Sequence, residues 1–268
     1  MGNRLLEPIW NYIPENNRLE RIWKIAQVDF RKRYYNDRLG LLWALLNPIF
    51  QVVIYYAVFT LIFHRAIEGI EHYHLFIFSG IIFWATFRET SIKGMRILQS
   101  KKYLIENIQL NKFDLYLSNG ISSLLGFLFN LFALLIISLF FGVRYSFHLI
   151  YLPVLIINVY FIAIGFGMIL SVVFIYFNDI NHLLDIVFLV GFWSSGIFFR
   201  GDVFKEIFPA LMYLNPFIGI IVNVRNVALY DQMVDLQMLF LNLGAGILIL
   251  LFGYWVVMKY SSLALERM

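Results

Sequence analysis

The sequence has no cysteine, only 6 prolines in 268 residues, and few charges. Each shortage excludes something. Without cysteine there is no disulfide framework and no thiolate metal site. Charged residues make up 14% of the chain, where soluble domains carry about 25%. With 61% hydrophobic residues, 28 Phe and 16 Tyr among them, there is too little polar surface to clothe the apolar mass in water. No G-x-x-x-x-G-K-[ST] phosphate loop, H-E-x-x-H helix or G-x-S-x-G elbow is present, so the chain offers no site for nucleotide hydrolysis by that loop, zinc proteolysis or serine hydrolysis. The histidines at 64, 72, 74, 148 and 182 show no metal-ligand spacing. No two glycines lie four apart, which withholds support from G-x-x-x-G helix crossings. No internal repeat is visible, which weakens an inverted-repeat secondary transporter. The first 38 residues lack the short apolar core and cleavage site of a signal peptide.

What the chain has is length without charge. Uncharged runs of 26, 29, 34 and 23 residues follow Arg38, Asp114, Arg144 and Asp235. A helix crosses the hydrocarbon with roughly 20 apolar residues, so each run suffices. Two more are less clean: His72 to Phe87 gives 16 uncharged residues before Arg88, and Ile180 to Phe199 gives 20 residues interrupted by Asp185. Either spans if its charge meets protein, water or headgroups. The chain therefore reads as an all-α integral membrane protein with six transmembrane helices. Ile207 to Val224, broken by Pro209, Asn215 and Pro216, reads as short re-entrant helices before the last span, because interrupted backbone survives at membrane depth where protein or a watery cavity surrounds it. A seventh, broken span is the competing reading.

Basic residues set the orientation. With six spans, segments 1–38, 88–114, 178–183 and 259–268 hold 16 of the 21 Lys and Arg, and they face inward. Both termini are then cytoplasmic. The chain divides into a cytoplasmic N-terminal region, 1–38, and a transmembrane domain, 39–268, with a cytoplasmic loop at 88–117 and the re-entrant segment at 204–224. The net charge of +4 reads as topology and contact with anionic membrane lipids, not as nucleic-acid binding.

Leu19, Ile22, Trp23, Ala26, Phe30 and Tyr34 recur at helical spacing, so residues 18–38 predict an amphipathic helix lying in the membrane interface; packing on the protein itself is the alternative. Trp23, Arg33, Tyr34, Gly40, Trp43 and Pro48 make up this helix and its hinge into the first span. Gly40 permits a tight turn and Pro48 a kink. In the basic segment 88–117, Arg88, Lys101 and Lys102 are candidates for coupling to a cytoplasmic partner, with a plain positive anchor as the alternative. Asp179 suits either a helix cap or an ion pair. Asp185 lies one turn inside a span and needs a partner, which the sequence does not name. Asn215 and Pro216 mark a gating candidate in the broken segment. Tyr55, Tyr56, Phe59, Trp84, Phe87, Trp193 and Phe198 are candidate substrate-path residues, since aromatic faces stack on sugar rings; packing against lipid or other helices is the plainer role.

Arg31-Lys32-Arg33-Tyr34, Leu39-Gly40-Leu41-Leu42-Trp43 and Asn47-Pro48, followed by Phe78-Ser79-Gly80 before Trp84, Phe177-Asn178-Asp179-Ile180 and Leu214-Asn215-Pro216, make a series in order along the chain. The series resembles the membrane (permease) subunits of bacterial ABC-type polysaccharide exporters, which move O-antigen, capsule or teichoic acid chains. Asn178 stands where the family commonly has Arg, and Ser194-Ser195-Gly196 where it often has Ser-Pro. The resemblance implies a channel-forming subunit in the bacterial inner membrane, paired with a second copy of itself. It also implies two separate ATP-binding subunits that carry ATP and Mg, so this chain binds no cofactor and is not itself an enzyme. The cargo implied is a lipid-linked polysaccharide. Export of lipids or small hydrophobic compounds, and a membrane enzyme acting on lipid-linked sugars, are the competing functions.

Overall fold

The computed structural model describes residues 17–33, 38–40, 42–58, 70, 72–107, 110–177, 179–201, 203, 206 and 209–266. The described residues form helices and connectors, with no strand among them. In order they are α1 (Arg18–Lys32), α2 (Leu42–Tyr56), α3 (Tyr73–Met95), α4 (Ile97–Ser100), α5 (Lys102–Asn107), α6 (Lys112–Phe140), α7 (Leu152–Tyr176, entered through a 3-10 turn at Phe147–Tyr151), α8 (Ile180–Ser194), α9 (Pro209–Leu214), α10 (Pro216–Ala228) and α11 (Leu236–Glu266).

Four helices among the described residues are long and apolar enough to cross a membrane: α3, α6, α7 with its 3-10 lead-in, and α11. This corrects the expected six. Uncharged length is not helical length. In the fifth candidate, helix α8 has 15 residues, about 22 Å at 1.5 Å per residue, against a hydrocarbon core of about 30 Å. It stops at Ser194, and Gly196 follows with φ 77°. In the first candidate, α2 also has 15 residues, and residues 59–69 lie outside the described part. The second candidate run is longer than its uncharged length, because Arg88, Glu89 and Lys93 continue α3 as helix to Met95.

Helix α7 is the centre. Its neighbours are α3 on one side and α11 on the other, and the approach is made by glycine. A Cβ on Gly167 would stand 3.1 Å from the Gly94 Cα of α3, and one on Gly165 would stand 2.6 Å from the Ile249 carbonyl oxygen of α11. Gly253 returns the contact against the Gly165 backbone. Small residues let helices approach where lipid supplies no hydrophobic drive. Polar bonds add to the packing: Tyr116 meets Ser171 at 2.5 Å, Asn119 Nδ2 donates to the Thr90 carbonyl at 3.0 Å, and Ser91 donates to the Ala163 carbonyl at 3.3 Å.

Asn17 caps α1, accepting from the Glu20 amide at 3.3 Å. The helix buries Ile22, Ile25, Ala26 and Phe30 in its packing on α6, where Phe30 stacks on Phe129. A fully buried Ile or Phe contributes about 1.5–3 kcal/mol. Leu19 and Trp23 are left exposed, so the helix packs on its own protein and still presents an apolar edge. Ion pairs fix it at three points: Arg18 and Arg21 to the buried Asp114 at 2.7 and 3.5 Å, Asp29 to Lys101, and Arg33 to Glu89.

Replacing Gly165 or Gly253 by Val should lower stability by about 1–3 kcal/mol or more, since the added carbons meet backbone that cannot move aside cheaply. Gly244→Ala on α11, with nothing within 4 Å of the new carbon, should be neutral. Melting curves of the detergent-solubilised variants check both.

Candidate functional site

Asp185, Phe188, Leu189 and Phe192 recur at helical spacing on α8, and Ile81, Trp84, Ala85, Arg88, Glu89, Ile92, Lys93 and Arg96 line the facing side of α3 and the turn that follows it. Between them runs a cleft of about 840 Å³. Its two ends differ in chemistry. Toward the start of α3 it is apolar and aromatic. Toward the end it is charged, with Arg88, Glu89, Lys93, Arg96 and Asp185 at the mouth.

Trp84, Phe188 and Phe192 line the cleft, and a continuous cluster of rings, largely buried, lies behind them. Trp84 lies 5.3 Å from Phe87 and 5.0 Å from Phe217, ring centre to centre, and 6.4 Å from both Phe188 and Phe192. Phe87 meets Phe217 at 4.4 Å and Phe188 at 5.7 Å. Phe192 continues the cluster to Trp193 and Phe198, which stack on each other at 4.8 Å. Gly191 makes the fit possible, since a Cβ there would stand 2.5 Å from the Trp84 indole.

At the mouth, Arg88 pairs with Asp185 at 3.2 Å and lies 5.8 Å from the Phe188 ring centre. This is the partner that the sequence left unnamed for Asp185. Glu89, the next residue, takes both Arg33 and Lys93, the latter at 2.6 Å. On the other side of α3, Glu89 also lines a polar cavity of about 210 Å³ with Arg33, Trp43, Asn47, Gln51 and Asn130.

Helix α10 packs behind the aromatic residues of the cleft. Phe217, near the start of α10, meets the middle of α3 at Trp84 and Phe87. Arg225, two turns on, reaches the Phe76 carbonyl near the beginning of α3, at 3.0 and 3.2 Å. So α10 starts at half the depth of α3 and runs back toward its N-terminal end. Asn215 caps α10 through the Phe217 amide at 3.0 Å, and its side-chain amide donates to the Ser194 carbonyl at 3.0 Å. Pro216 opens the helix, where its missing N–H costs nothing. The fully buried Arg225 also donates to the Gly196 and Ile197 carbonyls at 2.8 and 2.7 Å and lies over the Phe76 ring at 3.3 Å.

The structure thus brings Trp84, Arg88 and Asp185 together at the cleft, with Phe87 buried behind Trp84, Trp193 and Phe198 at one remove, and Asn215 and Pro216 at the end of α8. It does not bring Tyr56 there, which packs against His74 and Phe141. Phe59 and Tyr34, and the side chains of Tyr55 and Pro48, lie outside the described part. Gly40 sits in a turn at φ 51°. Lys101 pairs with Asp29, and Lys102 with Glu106 at 3.6 Å. Asp179 precedes α8 without a side-chain capping bond. Sequence reasoning missed Phe188, Phe217, Glu89 and Arg225. The first had a usable signal, one turn from Asp185; the others depend on which helices meet.

The profile of the ABC-2 type transporter family matches residues 20–229. The chain belongs to this family. It is an ABC-2 type membrane permease, a non-catalytic transport subunit, related to O-antigen export systems. The O-antigen export system permease protein RfbA of Klebsiella pneumoniae is 23% identical over 202 residues, covering 75% of this chain and 77% of that protein. The protein of the same name from Myxococcus xanthus is 20% identical over 228 residues, covering 84% and 86%.

The Arg88–Asp185 pair is about half exposed on one side and 68% exposed on the other, so in this ABC-2 permease it should contribute under about 1 kcal/mol to stability. A double-mutant cycle of Arg88→Ala and Asp185→Ala, followed by thermal unfolding, checks this; a coupling several times larger would show that the pair holds the helices rather than lines the cleft.

Proposed function

We propose that the chain is the membrane half of an exporter that moves a polysaccharide out across the bacterial inner membrane, working as two copies with two ATP-binding subunits. The observation that carries this reading is the cleft between α3 and α8, with Trp84, Phe188 and Phe192 in its lining and a charged mouth. These rings lie among aliphatic side chains, an apolar surface past which the flat face of a sugar ring can slide.

Orientation follows from charge. The end that carries α1, α4, α5 and the start of α6 is rich in Lys and Arg, and it faces the cytoplasm. The cleft mouth then opens inward, and α9 and α10 lie toward the outer side. Helix α1 and the short helices bearing Lys101 and Lys102 form the cytoplasmic surface on which an ATP-binding subunit docks. That subunit carries ATP and Mg. The relatives named for O-antigen export support a polysaccharide as the cargo.

One observation favours a second reading, export of lipid or small hydrophobic compounds: Leu183, Ile186, Val187, Leu189, Val190 and Trp193 leave much of α8 exposed and apolar. In the polysaccharide reading this face meets lipid and the second copy.

The experiment is to express Leu189→Ser with Phe192→Ala, two cleft residues outside the fully buried core, beside the ATP-binding partner. Surface glycan should fall several-fold, with basal ATP hydrolysis and the melting temperature of the complex retained. Unchanged surface glycan together with lost efflux of a hydrophobic dye would favour the second reading and sink the first.

A further inference from the structure

Two polar cavities adjoin at the end of the molecule opposite the cleft mouth. One, of about 370 Å³, lies between α10, the start of α11 and Phe76; the other, of about 270 Å³, lies under the start of α3 and the turn after α6. Tyr230 lies in the wall of both. Small-ligand clefts run from roughly 300 to 1,000 Å³. We propose that this paired pocket binds two consecutive neutral sugar units of the exported chain as it leaves. The assignment rests on the export reading above and adds a binding site to it.

The chemistry of the lining selects the ligand class. The larger cavity presents the side chains of Asn226, Gln232, Asp235 and Arg200. The amides of Asn226 and Gln232 form no side-chain hydrogen bond to another described residue. An amide offers donors and an acceptor together, as a sugar hydroxyl does. An anion would ask for donors alone, and a cation for acceptors alone. Arg144 and Arg200 are matched in number by Asp231 and Asp235, and the one remaining positive charge, on Arg225, has its donors spent on backbone carbonyls. Neither phosphate nor a metal ion is favoured by such a lining.

The walls are built, not collapsed. Asn223 and Asp235 exchange side-chain and backbone bonds at 2.7 and 3.2 Å, and Asp235 caps α11 through the Met238 amide at 3.1 Å. In the smaller cavity three lining residues hold left-handed backbone: His72 at φ 54°, Asp231 at 53° and Gly142 at 82°. His72 and Asp231 are the non-glycine residues with positive φ among those described. Such conformations persist where surroundings over-determine them and gather at ligand sites. The Asp231 carboxyl is held below its usual range by hydrogen bonds from Ser146 and His148, so it accepts from a hydroxyl without competing for a proton.

The test uses the chain with its ATP-binding partner in lipid nanodiscs, titrated with methyl glycosides of neutral hexoses and followed by saturation-transfer NMR. Inorganic phosphate and methyl glucuronide serve as anionic controls. At least one neutral glycoside should bind, and Asn226→Ala with Gln232→Ala should weaken it about tenfold, as losing one or two hydrogen bonds does. Gly244→Ala should leave it unchanged. Gln232 is exposed, so Gln232→Ala alone keeps the test valid if the double variant melts early. Absence of neutral-sugar binding, binding untouched by these variants, or anion binding with the same dependence overturns the proposal. Surface glycan measured in the same cells separates the two readings: export without sugar binding sinks the pocket alone, and sugar binding without export sinks the export reading alone.

Discussion

Gly165 and Gly167 stand two residues apart, and two residues turn a helix through about 200°. The two missing side chains therefore lie on nearly opposite sides of α7, one against α11 and one against α3. Everything else is arranged around that double contact. It fixes α3 against α7, with its Gly94 pressed on Gly167 and its other face turned to α8. Helix α8 has no such crossing with α7, and the cleft opens where the tightly held helix faces the lightly held one.

A lightly held helix still needs its ends accounted for. Arg225 meets that need from α10, with its guanidinium among the Phe76, Gly196 and Ile197 carbonyls. An arginine without a carboxylate partner in a buried site is costly unless its donors are used. Here the donors serve carbonyls that the end of α8 would otherwise leave open. The break after α8 and the buried charge on α10 are each unfavourable alone, and together they offset one another.

Much of this was legible in the residues. The charge-free runs mark α6, α7 with its 3-10 lead-in, and the start of α11 to within a few residues, because hydrocarbon tolerates little else over that length; α11 then continues past Lys259 to Glu266. They misjudge α3 and α8 for opposite reasons. Arg88, Glu89 and Lys93 end an uncharged run but not a helix, since each has a partner or an open cleft beside it. Ser194-Ser195-Gly196 interrupts no uncharged run but ends a helix. Trp84, Phe87, Arg88 and Asp185 were recognisable one by one; their convergence was not, because it depends on α8 running antiparallel to α3 in one register. The glycine crossings escaped for a similar reason. The separation-four rule describes one face of one helix, and these glycines serve two faces. Glu89 and Arg225 matter through partners 56 and 149 residues distant, a distance no local pattern carries.

The junction of α8 with α10 has an electrostatic consequence. Each helix end carries a partial charge of about half an elementary unit, negative at the C-terminus and positive at the N-terminus. The last carbonyls of α8 and the first amides of α10 are joined through Asn215, which accepts from one and donates to the other. Two opposed partial charges thus neutralise each other at mid-depth of the bundle, where neither would be tolerated alone. Parting the two helices would expose both. Bridged in this way, the two helices form one bent element beside α3.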